Sequence, residues 1–316
     1  MSIMRLTRRD ILCSGFAALA ASGPAWAQDE AVALDGAAVF DGERRLDPAT
    51  ILIVGGTIRA IGPAGSVEVP SGARRLDLAG STVIPGLISA HAHVGNSAGA
   101  ETGGRFFTRE NVLAQLRRYL AFGVTTLAAL GLGPAEPFFA IRDEVRGGCA
   151  TGVADLLGAG PGIGAVRGLP PAGAPMNLLD DQVVRPETPE AAREAVREMA
   201  RRRVDVVKLW VDDAGGTMPM MPPAIFSAAI EEAHRHGLRA AAHIHSLEQA
   251  RAVVLAGVDI VAHGVRDRPV DEALVRAMRE RGTWYIATIA LDEANYLYAD
   301  RPALLEDPFL RAALDP

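Results

Sequence analysis

Two patterns of apolar and polar residues divide the chain beyond residue 30. From residue 31 to about residue 82, short apolar runs separated by Gly, Pro and Asp predict β-strands joined by turns. From residue 83 onward, short apolar runs alternate with stretches of helical periodicity. This alternation predicts a parallel sheet with helical crossovers.

Seven strands are predicted in the alternating part, separated by helices whose ends are marked by Pro and Gly. The strands cover residues 83–94, 123–130, 154–159, 204–211, 238–245, 258–263 and 283–289. The helices include residues 110–121, 189–203, 223–236, 246–256 and 271–281. Seven such strands in series favour an α/β fold of the TIM-like (β/α)8 barrel type over residues 83–316. Residues 28–82 are predicted to form part of a small N-terminal β-sandwich.

The first 27 residues read as a targeting segment. Thr7-Arg-Arg-Asp-Ile-Leu resembles a twin-arginine export motif, a short apolar stretch follows, and Ala25-Trp-Ala resembles a cleavage site. We therefore predict a twin-arginine signal peptide over residues 1–27 and a periplasmic or otherwise exported protein. The apolar stretch is short for a membrane span, so stable membrane insertion is not expected, and an uncleaved anchor is the alternative.

The composition and charge limit which classes of partner are expected. The 316 residues are 49% hydrophobic and 22% charged, with a formal net charge of −6 and no basic block, so nucleic acid is not an expected partner. The Gly-rich run at residues 158–164 superficially resembles a phosphate loop, but the residues after it cannot open a helix. A nucleotide role is therefore not expected, and residues 164–185 are predicted to form a long loop over the barrel mouth.

Five of the seven histidines lie near the ends of predicted strands, whereas His234 and His236 lie at a predicted helix end. His91 and His93 are two positions apart, so in a strand both imidazoles point to the same side and can bind one divalent metal. The alternative is a pair of buried structural histidines. His243 and His263 each end a strand and form a second candidate pair of ligands, while His245 is a candidate substrate contact or a surface histidine.

Lys208 is the only lysine, since the other 31 of the 32 Lys and Arg residues are arginine. It lies inside the apolar strand Val204-Asp-Val-Val-Lys-Leu-Trp-Val, where burial favours the neutral amine. A neutral amine can take up CO2 and become a carbamate that bridges two metals. An ordinary ion pair with Asp205, Asp212 or Asp213, and a Schiff-base lysine of a barrel lyase or aldolase, are the alternatives.

In this order, the motifs resemble the amidohydrolase superfamily, in its prolidase- and imidazolonepropionase-related branch. The similarity is carried by Val83-Ile-Pro-Gly-Leu-Ile-Ser-Ala-His-Ala-His, Gly123-Val-Thr-Thr, Val204-Asp-Val-Val-Lys, His243 and Gly257-Val-Asp-Ile-Val-Ala-His-Gly. The resemblance implies two divalent metal ions, zinc foremost. It implies that His91 and His93 hold the first ion, that His243 and His263 hold the second, and that carboxylated Lys208 bridges them. It also implies hydrolysis of an amide or similar C–N bond by a metal-bridging hydroxide.

One family feature is missing from this sequence. The family's eighth barrel strand supplies an Asp that binds the first metal and acts as the catalytic base, but no such strand follows residues 283–289. Asp292 follows the seventh strand too closely to take that role, so no catalytic residue is assigned. We therefore expect a C-terminally truncated family member that lacks strand eight, and a non-catalytic metal-binding remnant is the alternative to an active hydrolase.

The expected substrate is a small molecule, with a dipeptide or a lactam as the leading classes. Arg266 and Arg268 follow His263 and are candidate contacts for a substrate carboxylate, or else solvated loop arginines. The sequence is compatible with a homo-oligomer.

Overall fold

The computed structural model describes residues 31–314, which form two compact units divided between Leu87 and Ile88. Residues 1–30 lie outside the described part, and the predicted signal peptide lies there with them. No helix in the described range is both long and apolar enough to cross a membrane.

The first unit is built around one five-stranded sheet. Strand β1 lies at its centre, antiparallel to β2 and parallel to β4 and β5. Gly55 and Gly56, both with positive φ, form the tight turn between β2 and β3. The packing of a second sheet against this one, as a β-sandwich requires, stays a prediction. The strands are β1 Ala31–Phe40, β2 Arg45–Val54, β3 Thr57–Pro63, β4 Arg74–Asp77 and β5 Thr82–Val83.

The second unit contains two larger sheets. In chain order its strands are β6 Leu87–Ala92, β7 Ser97–Ala98, β8 Glu101–Thr102, β9 Val124–Ala129, β10 Asp155–Gly158, β11 Gly162–Ile163, β12 Val183–Val184, β13 Val207–Trp210, β14 Ala240–His243, β15 Ile260–Ala262 and β16 Trp284–Ile286. One sheet has the order β10-β9-β6 and the other has the order β12-β11-β13-β14-β15-β16, in which every strand pair is parallel. The short β7–β8 hairpin stands apart from both.

Helices separate these strands, and the first six of them bury apolar side chains. They are α1 Arg109–Ala121, α2 Ala135–Arg146, α3 Pro189–Arg201, α4 Pro223–Arg235, α5 Leu247–Leu255, α6 Glu272–Arg281, α7 Ile289–Asp300 and α8 Pro308–Ala313. Side chains cap several of them: Ser246 and Gln249 form a capping box at the start of α5, and the Asp271 carboxylate accepts the Leu274 N–H at the start of α6. Val207 and Leu209 of β13 are buried in one core with helix residues such as Val196, Ile230 and Val253.

The described residues therefore form an α/β fold with parallel sheets, as predicted, while closure of these sheets into a barrel stays a prediction. Two details differ from the sequence expectation. Helix α2 was not predicted, and Pro137 in its first turn obscures its helical pattern. The seventh predicted strand, residues 283–289, ends early as β16, because Thr288 adopts a left-handed conformation with φ 50° and α7 begins at Ile289.

Candidate metal centre

Four histidines meet at the carboxyl ends of the strands. His91 lies in β6, His93 just after it, His243 ends β14, and His263 follows β15. The ring centroids of His91 and His263 are 4.6 Å apart, those of His91 and His93 are 5.3 Å apart, and those of His243 and His263 are 4.5 Å apart. We call these four residues the histidine cluster. The structure thus brings both predicted ligand pairs together.

Lys208 lies in β13 and is fully buried beside this cluster. It is in register with Ala241 of β14, two residues before His243. Glycine at position 131 lets the backbone lie close to Lys208 and Trp210. A Cβ on Gly131 would lie 3.2 Å from Lys208 Cγ and 2.5 Å from the Trp210 ring. Gly131 also has a φ of 87°, which glycine adopts without strain.

Three nitrogen atoms at the centre of this site lack a hydrogen-bond partner within the described residues. They are Nδ1 and Nε2 of His91 and Nζ of Lys208, all of them buried. A buried polar atom without a partner costs about 1–3 kcal/mol, so native proteins rarely leave one unless it has a function. Buried nitrogens without partners are expected of a site that binds a positively charged ligand.

The ion-pair alternative for Lys208 is wrong, because its three candidate partners bind elsewhere. Arg146 binds Asp205 at 2.9 Å, His243 binds Asp212 at 2.8 Å, and the Gln249 amide donates to Asp213 at 3.1 Å.

The electrostatics keep the site in its metal-binding protonation states. Burial lowers the pKa of Lys208 from 10.5 to about 7. Burial likewise holds the pKa of His91 and of His263 far below the ordinary value, with Lys208 and neighbouring histidines adding to the effect. Metal binding needs neutral imidazoles, and CO2 uptake needs a neutral amine, so both requirements are met near neutral pH.

Hydrogen bonds orient three of the four imidazoles. His93 Nδ1 lies 3.3 Å from the Gly131 carbonyl oxygen, and His263 Nδ1 lies 2.9 Å from Thr288 Oγ1. Each contact leaves Nε2 as the nitrogen available to a metal. An outer partner that fixes the imidazole in this way is a regular feature of metal-binding histidines.

The Asp212 carboxylate does the same for His243, whose Nε2 lies 2.8 Å from Oδ2, and so leaves Nδ1 for a metal. Burial alone raises the pKa of Asp212, but its hydrogen bonds to His243 and to the Ala214 N–H outweigh burial and lower it. The carboxylate is therefore ionised at neutral pH. The sequence suggested Asp212 only as a partner for Lys208; its position directly after a buried strand was the signal for this role.

The candidate ligands form two pairs of histidines, and each pair supplies two donors. Within residues 31–314, no group of three or more His, Cys, Asp or Glu side chains is arranged to hold a metal ion. Each predicted pair contributes two imidazoles, and the buried donor beside them, Lys208, is an amine, which is not one of these residue types. Converting Lys208 to a carbamate would add two oxygen ligands at this point, which is why the residues fit the predicted pair of ions.

The three candidate substrate contacts have different partners and exposures in the structure. Arg266 is largely buried and pairs with Asp292, with Nη2 3.0 Å from Oδ1. Arg268 pairs with Asp267 and its side chain is 65% exposed. The His245 carbonyl oxygen accepts the Arg266 N–H at 2.9 Å. Asp292 lies in the first turn of α7, as expected of a residue that is not on a barrel strand.

Residues 82–302 match the amidohydrolase family, so the chain belongs to this family. The prediction of the amidohydrolase superfamily is therefore confirmed. The crystal structure of a candidate prolidase from Bifidobacterium longum supports the prolidase-related branch: it is 27% identical with a TM-score of 0.65, over 80% of this chain and 58% of that one. A Xaa-Pro dipeptidase with bound methionine shares the fold, with 22% identity and a TM-score of 0.72 over 86% and 70% of the two chains.

Curated relatives are similar over shorter stretches. An enamidase from Eubacterium barkeri is 25% identical over 225 residues, which make up 68% of this chain and 50% of the enamidase. An uncharacterised protein of Mycobacterium tuberculosis is 33% identical over 99 residues, or 30% of this chain and 26% of that protein. The matched stretch thus spans about a quarter to a half of these relatives' length.

The hydrogen bond between Asp212 and His243 gives a prediction about metal affinity. Replacing Asp212 with Asn removes the negative charge that holds the His243 ring, so we expect metal affinity to fall by about 10- to 100-fold. Competition with a fluorescent chelator measures the affinity. Asp213→Asn is the matched control, since Asp213 binds Gln249 instead of a cluster histidine. Equal effects of the two substitutions would contradict the orienting role of Asp212.

Proposed function

We propose that this chain is a metal-dependent hydrolase that acts on a C–N bond of an amide, peptide or cyclic amide. His91 and His93 would hold one divalent ion, His243 and His263 would hold a second, and Lys208, once carboxylated, would supply oxygen ligands to them. Zinc is the first metal to test, because imidazole and carboxylate-like oxygen ligands suit it. The observation that carries the proposal is the set of buried nitrogens of His91 and Lys208 that have no hydrogen-bond partner among the described residues.

The chemistry of Lys208 supports the bridging role. Its neutral Nζ would attack the carbon of CO2, so that an N–C bond forms, one C=O π pair moves to oxygen, and the proton lost from nitrogen passes to solvent water. The product is a carbamate with one negative charge on two oxygens, which converts a nitrogen donor into the carboxylate-like ligand that this part of the site otherwise lacks. The negative charge would also offset part of the repulsion between two bound cations.

The chain's own residues then prepare the site. Two bound divalent ions supply Lewis acidity toward a carbonyl oxygen and lower the pKa of water. Gly131, Asp212 and Thr288 hold the imidazoles in place through their hydrogen bonds, so the ligand geometry is set before a substrate arrives. The enamidase among the relatives and the candidate prolidase among the solved structures favour an amide bond as the target.

Metal reconstitution tests the proposal. The full chain is stripped with a chelator, reloaded with Zn²⁺ in the presence of bicarbonate, and assayed against N-acyl amino acids, dipeptides and small lactams. We expect two metal ions per chain and hydrolysis that depends on loading. Stoichiometric metal without hydrolysis of any substrate would contradict the hydrolase and favour a non-catalytic metal-binding protein. Trapping of a carbonyl substrate on Lys208 by borohydride would instead favour a Schiff-base enzyme.

A further inference from the structure

Two side-chain carboxamides hold the backbone next to the histidine cluster. Asn96 Nδ2 donates to the Val94 carbonyl oxygen at 3.2 Å and to the Leu132 carbonyl oxygen at 2.9 Å. Gln182 Nε2 donates to Asn96 Oδ1 at 2.6 Å and to the same Leu132 carbonyl oxygen. The Leu132 oxygen therefore accepts two hydrogen bonds, one for each of its lone pairs. We call the two carboxamides of Asn96 and Gln182 the amide clamp.

The surrounding chain fixes the Gln182 side chain in one orientation. Gln182 is fully buried, and its Oε1 accepts the Leu179 N–H at 2.7 Å. A Cβ on Gly104 would overlap this Oε1, so glycine at position 104 leaves the space that the carboxamide fills. Gln182 lies directly before β12, at the end of the long segment that connects β11 to β12. The amide clamp therefore ties this segment to the Leu132 carbonyl.

The backbone that the amide clamp holds has a conformation that leucine rarely adopts. Leu132 has a φ of 64°, and it follows Gly131, which has a φ of 87°. A leucine in this left-handed region persists only where the surrounding structure holds it there. The clamp provides that restraint at the Leu132 carbonyl. It thereby also fixes the preceding peptide group, whose oxygen is the Gly131 carbonyl oxygen.

The Gly131 carbonyl oxygen lies 3.3 Å from His93 Nδ1. Because a carbonyl oxygen only accepts, the His93 ring carries its proton on Nδ1 and presents the lone pair of Nε2. We infer that Gln182 and Asn96 are positioning residues for the metal centre. By fixing the Leu132 carbonyl, they keep the Gly131 oxygen on His93 and so set the tautomer of that imidazole. The inference rests on the proposed function only for the role of His93 as a metal ligand.

Nitrogen-15 NMR of the metal-free full chain tests this inference, with its seven histidines labelled and at about pH 8, where ordinary imidazoles are neutral. In the wild-type chain we expect His93 to show the signals of an Nδ1–H ring, assigned by their absence from His93→Asn. Gln182→Met and Asn96→Ala each remove a donor to the Leu132 carbonyl, so the Nε2–H tautomer of His93 should become populated. The affinity for Zn²⁺, measured against a chelator, should fall about tenfold in both variants, as loss of an outer partner of a metal-binding histidine allows.

Arg185→Met is the matched control, because Arg185 holds the same segment through the carbonyl oxygens of Ala165, Gly168 and Pro170. It should lower the free energy of unfolding and leave the His93 tautomer and the Zn²⁺ affinity unchanged. An Nδ1–H ring that persists in both clamp variants, or an equal tautomer shift in Arg185→Met, would overturn the inference. The expected tautomer shift in a chain that neither binds metal nor hydrolyses amides would refute only the proposed function. A two-metal hydrolase whose His93 tautomer does not depend on the clamp would refute this inference alone.

Discussion

Replacing Lys208 with arginine should abolish the activity of the metal-loaded chain, with a fall of roughly 10³-fold or more. The guanidinium keeps the positive charge but does not take up CO2, so the two oxygen ligands between the ions are lost. Metal-ion catalysis supplies several kcal/mol of transition-state stabilisation, and each 1.4 kcal/mol corresponds to about tenfold in rate. The metal content should also fall below two ions per chain, which plasma emission spectrometry measures.

The composition makes the carbamate itself observable. Because Lys208 is the only lysine, ¹³CO2 should give one lysine carbamate resonance, and Lys208→Arg should remove it. The buried amine has a pKa of about 7, so its neutral fraction rises as the pH increases through 7. At constant dissolved CO2, the metal-free chain should therefore show weak labelling at about pH 6 and strong labelling at about pH 8, one unit on either side of the pKa.

Lys208→Met controls for the packing of a long side chain without the charge, since methionine fills a similar volume. It should fold and yet bind as little metal as Lys208→Arg. Full activity in either variant would exclude the carbamate and the bridging role of Lys208 together.

Replacing His91 with leucine should stabilise the metal-free chain while it destroys the response to metal. Both ring nitrogens of His91 are buried without a hydrogen-bond partner in the described part of the chain, and leaving even one such nitrogen unpaired costs about 1–3 kcal/mol. Leucine has a similar size and no polar atom, so the free energy of unfolding of the metal-free chain should rise by about that amount. Thermal and urea unfolding measure it.

On metal loading, the wild-type chain should become more stable than the His91→Leu chain, which is the reverse of the metal-free order. An ion that binds only the folded state stabilises it by about 2.7 kcal/mol at a free concentration one hundred times Kd. His91→Leu should lose that gain, because one of the two imidazoles for its ion is gone. The control is His234→Leu on α4, where the ring lies at the surface beside Asp259, and it should change both quantities by less than about 0.5 kcal/mol. A metal-free His91→Leu chain that is less stable than the wild type would show that His91 is an ordinary packed residue.

Several features of this site were readable from the order of residues along the chain. His91 and His93 were predicted to face one side because side chains in a strand alternate with a period of two, and the two other candidate histidine ligands were predicted at strand ends. A single lysine inside an apolar strand implied burial, and burial implied a neutral amine. Strand–helix alternation implied parallel sheets, whose carboxyl ends gather at one edge. These inferences need only local geometry and composition.

Other features needed the folded chain. The partner of Asp212 could not be chosen from the sequence, because three aspartates lie near Lys208 and only packing decides which carboxylate meets which cation. Arg266 and Arg268 look equivalent along the chain, yet the Arg266 side chain is 24% exposed and pairs with Asp292, whereas the Arg268 side chain is 65% exposed. Thr288 was placed in a strand by its apolar neighbours, and its left-handed backbone instead ends the strand and brings its hydroxyl to His263.

The sequence by itself therefore determined the class of fold, the two histidine pairs and the unusual lysine, since each depends on periodicity or on a residue type that has few other uses. The tertiary structure decided which polar side chains orient those histidines and which nitrogens stay without a partner. It also decided which of the two arginines is held against Asp292 and which is exposed. The physical reason is that hydrogen bonds and burial depend on distances between residues far apart in the chain, and these are set only when the strands and helices pack together.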